Sequence, residues 1–101
     1  MIEKLTKEIF AESVNTKFRV YPEPSSAVEI ELVQLTAGVS TPTHEQFSLL
    51  FHGPQTHFLP QMTYHVEHDR LGEFDLFLVP VGRAQDGFQY EAVFNRFLEG
   101  A

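Results

Sequence analysis

The chain has neither cysteine nor tryptophan in its 101 residues. Without thiols there is no disulfide framework, no thiolate metal site and no cysteine nucleophile. That absence fits a reducing compartment, and cytoplasmic residence is the expectation. Lys and Arg number only 7, against 14 Asp and Glu, for a net charge of −7. Nucleic-acid affinity rests on clustered cations that neutralise phosphates. The few cations here are scattered, so no nucleic-acid partner is expected, and the acidic balance serves solubility. No segment approaches the roughly 20 consecutive apolar residues of a membrane-spanning helix, so no membrane partner is expected. Met1 to Phe10 mixes Glu and Lys among single apolar residues, unlike a signal peptide. There is no Gly-x-Gly-x-x-Gly or phosphate loop, and Ser48 has no Gly-x-Ser-x-Gly context.

What the chain does have is aromatic bulk: 10 Phe and 3 Tyr. Large rigid side chains fill a small core efficiently. A chain of this length makes one domain, residues 1–101, and buries on the order of 11,000 Å² on folding, enough for a core without staples.

Thr6 is a good N-cap, and Leu5, Ile9, Phe10 and Val14 recur at helical spacing. They predict one short amphipathic helix over Thr6 to Ser13, with Leu5 as a staple and Asn15 at its end. After Asn15 the period becomes two. Strands are expected over Lys17–Tyr21, Ala27–Thr36, Glu45–His52, Met62–His68, Glu73–Val81 and Phe88–Asn95. Pro22 and Pro24 stop the first and Gly53-Pro54 the third. In the second, Val28, Ile30 and Leu32 share one parity while Val33 and Leu35 take the other, which calls for a β-bulge near Val33 or burial of both faces there. Glu73–Val81 is apolar on both parities, as in a strand covered on both faces. Gly82–Gly87 is expected as a polar loop, and Arg96–Ala101 as a tail or a single helical turn. Gly53, Gly72, Gly82 and Gly87 sit where turns call for positive φ. His68 is placed to cap the Asp69–Gly72 turn through a backbone carbonyl. Six short strands with turns between them and one leading helix predict an all-β, antiparallel six-stranded small barrel or sandwich.

Five histidines raise the question of a metal. On a strand, His65 and Glu67 share a face while His68 points away, so both imidazoles cannot reach one ion. His52 and His57 flank the Gly-Pro break and can converge. The carboxylate pairs Glu29/Glu31 and Glu73/Asp75 each share a strand face, as solvated sheet surfaces do. Phe47, Phe51, Phe74, Phe77, Phe88, Tyr90, Phe94 and Phe97 are assigned to the core by their period. Phe58 and Leu59, in an irregular stretch beside Pro60, are the candidates for an exposed partner-binding patch, the alternative being that they fold back to close the barrel end.

The blocks Phe47–Pro54 with its Gly-Pro, Leu59–His68 with Tyr64 and His68, Leu71-Gly72, Phe77–Gly82 and Tyr90–Asn95 resemble a bacterial family of small proteins classed as a domain of unknown function. The resemblance spans about Thr6 to Phe97. It implies no activity, cofactor or catalytic residue, and suggests an accessory place in a phage-tail-like assembly. The expectation is a non-catalytic binding or assembly module with a protein partner or a second copy of itself, and with no cofactor, resident metal or catalytic residue. The competing expectation is a small-ligand or metal-binding barrel, with enzymatic activity in its scope, built on His52, His57 and His65.

Overall fold

The computed structural model describes residues 5–39 and 41–97. Helix α1 (Lys7–Glu12) starts as its cap dictates: Thr6 is extended, at φ −83° and ψ 167°, and its hydroxyl accepts the Ile9 N–H at 3.1 Å. Two turns of helix are not stable alone in water. This one is held by Phe10, which is fully buried, a contribution of roughly 1.5–3 kcal/mol. Asn15 takes φ +73°, and its N–H donates to the Leu32 carbonyl while Leu32 donates to Thr16. The exit of α1 is thereby tied to the middle of the second strand.

Six strands follow: β1 (Lys17–Glu23), β2 (Ser26–Ala37), β3 (His44–Pro54), β4 (Met62–His68), β5 (Gly72–Ala84) and β6 (Gly87–Phe97). All pairings are antiparallel, and the sheet closes on itself in the order β1-β2-β3-β6-β5-β4. This is the architecture expected from the two-residue period. Inward residues of every strand build one core. Phe18 meets Phe51 and Phe74 edge-on, at 5.2 and 6.3 Å between centroids.

β5 changes partners along its length. Gly72 to Leu78 pair with β4, and Val79 to Ala84 pair with β6. On the helix side β5 and β6 are therefore not paired to each other, and α1 fills the opening. Phe10 lies 6.1 Å from Phe74 of β5, 5.3 Å from Phe94 of β6 and 6.1 Å from Phe47 of β3.

The bulge expected near Val33 is present: Leu32 faces Phe51 and Gln34 faces Leu50, which leaves Val33 as the extra residue. Other boundaries need correction. β1 runs through Pro22, β3 runs through Gly53 and Pro54, β5 continues through Pro80 to Ala84, and only Gln85 and Asp86 form the turn before β6. The prolines survive because their missing N–H falls where the ladder needs none. Pro22 lies within the register shift between Val20 and Glu23, Pro80 opens the shift before Gly82, and Pro54 ends a ladder. Arg96 and Phe97 belong to β6; Leu98 to Ala101 lie outside the described residues. Among the glycines of the described residues only Gly72 has positive φ, +84°. Gly87 is required for proximity, since a Cβ there would sit 1.9 Å from the Gly53 carbonyl oxygen.

β5 is also not covered on both faces. Phe74, Leu76 and Leu78 are buried, but Phe77 and Val81 are half exposed. Phe97, assigned by its period to the core, is 86% exposed, and Met62 is exposed at its strand end. A closed ring has one interior, and α1 fills its end rather than covering its outer wall.

Candidate functional site

The outer wall of the ring divides into two chemically different regions. On β3 the outward residues are His44, Gln46, Ser48, Leu50 and His52. On β6 they are Gln89, Glu91, Val93, Asn95 and Phe97, because His44 faces Phe97 and Pro54 faces Gly87 with strict alternation between. Glu91 is the one carboxylate among those ten positions, and none is Lys or Arg. Val79 lies across from Glu91 on the β5 side and Leu50 on the β3 side, while Ser48 lies across from Val93. Val93 is 66% exposed and Phe77 49%. The result is a broad, nearly uncharged sheet face.

The region formed by β1, β4 and the first half of β5 is the opposite. Register places Arg19 against Glu67, Tyr21 against His65, His65 against Asp75 and Glu67 against Glu73. Arg19 reaches Asp69 at 2.9 Å and Glu67 at 3.5 Å. The Tyr21 hydroxyl donates to Glu67 Oε1 at 2.8 Å, and this bond to a carboxylate holds the phenol above its usual range. His65 Nε2 lies 3.1 Å from Glu73 Oε1, and its Nδ1 3.7 Å from Asp75 Oδ1.

The three histidines expected to share a ligand do not meet. His52 and His57 line one open groove of about 450 Å³ together with Lys17, Glu29 and Glu31. His52 Nε2 is 3.2 Å from Asp86, across the β5–β6 turn. His65 lies elsewhere, among the carboxylates of β4 and β5. Ligand atoms of His65, Glu67 and Glu73 all lie within 4.8 Å of one another. The sequence marks Glu73 as one of a carboxylate pair on a solvated strand face. The hairpin itself carried the missed signal: a three-residue turn, Asp69 to Leu71, sets His65 opposite Asp75 and Glu67 opposite Glu73.

Of the expected partner-binding pair, Phe58 is 53% exposed and packs edge-on to Phe88 at 5.1 Å. Leu59 is corrected as a partner-binding candidate and takes the alternative, folding back to close the end of the ring. It is only 1% exposed, and its N–H donates to the Tyr90 hydroxyl at 2.9 Å. It turns inward because the end of a closed sheet exposes apolar interior that some side chain must cover.

His68 does hold its turn, but not through a carbonyl. Its Nδ1 accepts the N–H groups of Arg70 and Leu71 at 3.1 and 3.2 Å. The proton therefore sits on Nε2, which donates to Thr16 Oγ1 at 2.8 Å; that hydroxyl donates onward to the Ser13 carbonyl. The ring is buried against Phe18. Burial first, and the Arg70 charge second, push its pKa below the ordinary value.

Among the described residues no helix is long and apolar enough to cross a membrane. A family model described as Domain of unknown function (DUF6916) matches residues 5–94. No curated protein and no solved structure matches the chain.

Proposed function

The chain belongs to the family described as Domain of unknown function (DUF6916), and from that premise we propose a non-catalytic assembly module that docks protein on the outer face of β3, β6 and the adjoining part of β5. One observation carries the reading. In a chain with 21% charged residues, the ten outward positions of β3 and β6 hold a single carboxylate, while Val93, Phe97 and the neighbouring Phe77 stay exposed. Seven of those ten residues are polar, as on solvated sheet faces, so what sets this face apart is its lack of charge beside exposed Val93 and Phe97. Interface centres are the places depleted of charge and rich in aromatic groups.

A second copy of the chain is the favoured occupant. Two bodies of charge −7 repel, and this is the surface on which they can meet with one carboxylate each. A phage-tail-like assembly is one setting in which such a module would act, and cytoplasmic residence belongs to the same reading.

Light scattering after size-exclusion chromatography, over a range of concentrations, tests it. The wild-type chain should approach the mass of two chains as concentration rises. The variant Phe77→Glu/Val93→Glu should stay at the mass of one, with dimer affinity weakened at least about tenfold. Its thermal midpoint should hardly move, because both side chains face outward. A wild-type chain that stays monomeric at the highest concentration, or a dimer indifferent to the double substitution, would remove the reading.

A further inference from the structure

We infer that His65, Glu67 and Glu73 form a binding site for a divalent transition-metal ion of the zinc class on the outer face of β4 and β5. Three arguments converge. The first is donor geometry. Metal–nitrogen and metal–oxygen bonds of about 2.0–2.2 Å place neighbouring ligand atoms roughly 3–3.5 Å apart. His65 Nε2 and Glu73 Oε1 are 3.1 Å apart, and the three ligand atoms lie within 4.8 Å of each other. Glu67 and Glu73 are partly exposed and can close the remaining distance by rotamer changes. The backbone needs no movement, because the β4–β5 ladder already sets the three residues on one face.

The second argument is the surrounding shell. A metal-bound imidazole usually turns its other nitrogen toward a carboxylate that fixes its orientation. His65 Nδ1 faces Asp75 Oδ1 at 3.7 Å. The carboxylate ligand has its own support: Tyr21 donates to Glu67 Oε1, and Arg19 approaches the same oxygen. Both contacts fall on Oε1, which leaves Oε2 to the ion.

The third is charge. Glu67 stands directly across from Glu73, and like charges opposite one another in a ladder destabilise it. Glu67, Glu73 and Asp75 gather around one imidazole. The nearest guanidinium, Arg19, is shared with Asp69. A divalent cation between the two glutamates turns that repulsion into attraction. One imidazole with two carboxylates and no thiolate suits zinc and its neighbours better than magnesium, which prefers oxygen ligands and keeps its waters.

Isothermal titration of the whole chain with zinc chloride tests the site, with magnesium chloride as the comparison and histidine-ring NMR signals as the second readout. Zinc should bind at one ion per chain, raise the thermal midpoint and shift the His65 ring signals more than those of His52 and His57. His65→Ala and Glu73→Gln, both at exposed positions, should each weaken binding at least about tenfold while His52→Ala leaves it unchanged. No heat and no signal change up to about 1 mM zinc, weaker than about −4 kcal/mol of binding, would overturn the inference. So would binding that survives His65→Ala or disappears with His52→Ala.

Discussion

The two ends of the ring are closed in different ways. At one end a helix is the plug. The Thr6 cap takes the Ile9 N–H, the buried Ser13 hydroxyl donates to the Ile9 carbonyl, and the side chain that the helix sends into the core is Phe10. Beside it Arg96 clamps the entry. It pairs with the mostly buried Glu45 at 3.3 Å, donates to the Leu5 carbonyl at 2.7 Å and lies over the Phe47 and Phe94 rings. At the other end the plug is an irregular segment around Leu59. Irregular backbone cannot satisfy itself, and buried N–H and C=O groups need partners. Two tyrosines from the wall supply them: Tyr90 accepts the Leu59 N–H, and Tyr64 donates to the Pro60 carbonyl. Both plugs need polar partners: at the helix end Ser13, Glu45 and His68 are buried and serve the helix exit, Arg96 and a turn, whereas at the irregular end the partners are tyrosine hydroxyls from the wall.

The contrast can be broken at either end. The largest effect belongs to Phe10→Ala, which empties the space between Phe47, Phe74 and Phe94 and should cost about 3–5 kcal/mol in urea unfolding. A loss below about 1 kcal/mol would mean that the ring closes without its helix. Tyr90→Phe should cost less, about 1–2 kcal/mol, because it strands a buried N–H and leaves little void. Hydrogen exchange at Leu59 should speed up in that variant while exchange in α1 stays the same; equal acceleration at both ends would deny that the plugs are separate.

The smallest effect sharpens the comparison through pH. Burial lowers the His68 pKa at the helix end, so the folded state favours the neutral ring. That stability is present above the unfolded value of 6.5 and is lost as pH falls below it. Burial raises the Tyr90 and Tyr64 pKa values at the other end. Their contribution is present below the unfolded value of 10.0 and is lost as pH climbs past it. Urea midpoints against pH should thus decline in acid through the helix end and in alkali through the tyrosine end. His68→Asn should flatten the first decline and Tyr90→Phe the second. A Tyr90→Phe chain as sensitive to alkali as the wild type would break the assignment.

Much of this was legible residue by residue. Thr6 announced the helix start, and the slip of parity at Val33 announced a bulge. The alternation of Met62 to His68 separates His65 and Glu67 from His68 by period alone. The prolines misled. The period and the prolines stop β1 before Pro22 and β3 before Gly53-Pro54, yet Pro22 sits within a register shift and β3 runs on to Pro54 at a ladder terminus, positions that depend on the partner strand. Phe77 and Leu59 misled for a related reason. An apolar residue on the second parity was assigned to a covered face, and an apolar residue in a loop was left between an exposed patch and a fold-back closing the barrel end. Which surface needed covering depended on how the sheet closed. His52 and His57 line one groove, but His65 does not join them, since it lies on β4 among the carboxylates of the β4–β5 hairpin.

The order of side chains along the chain determined, without help, that a phenylalanine-rich interior would alternate with a polar exterior on six strands behind a capped helix. Those are local matters of period, capping and turn chemistry. Closure decided the rest: which neighbours each strand took, why β5 serves two of them, where Phe10 and Leu59 found interior to fill, and how one outer wall came to hold almost no charge while another collected His65, Glu67 and Glu73. Such outcomes arise from contacts between residues distant in sequence, and only the three-dimensional register fixes them.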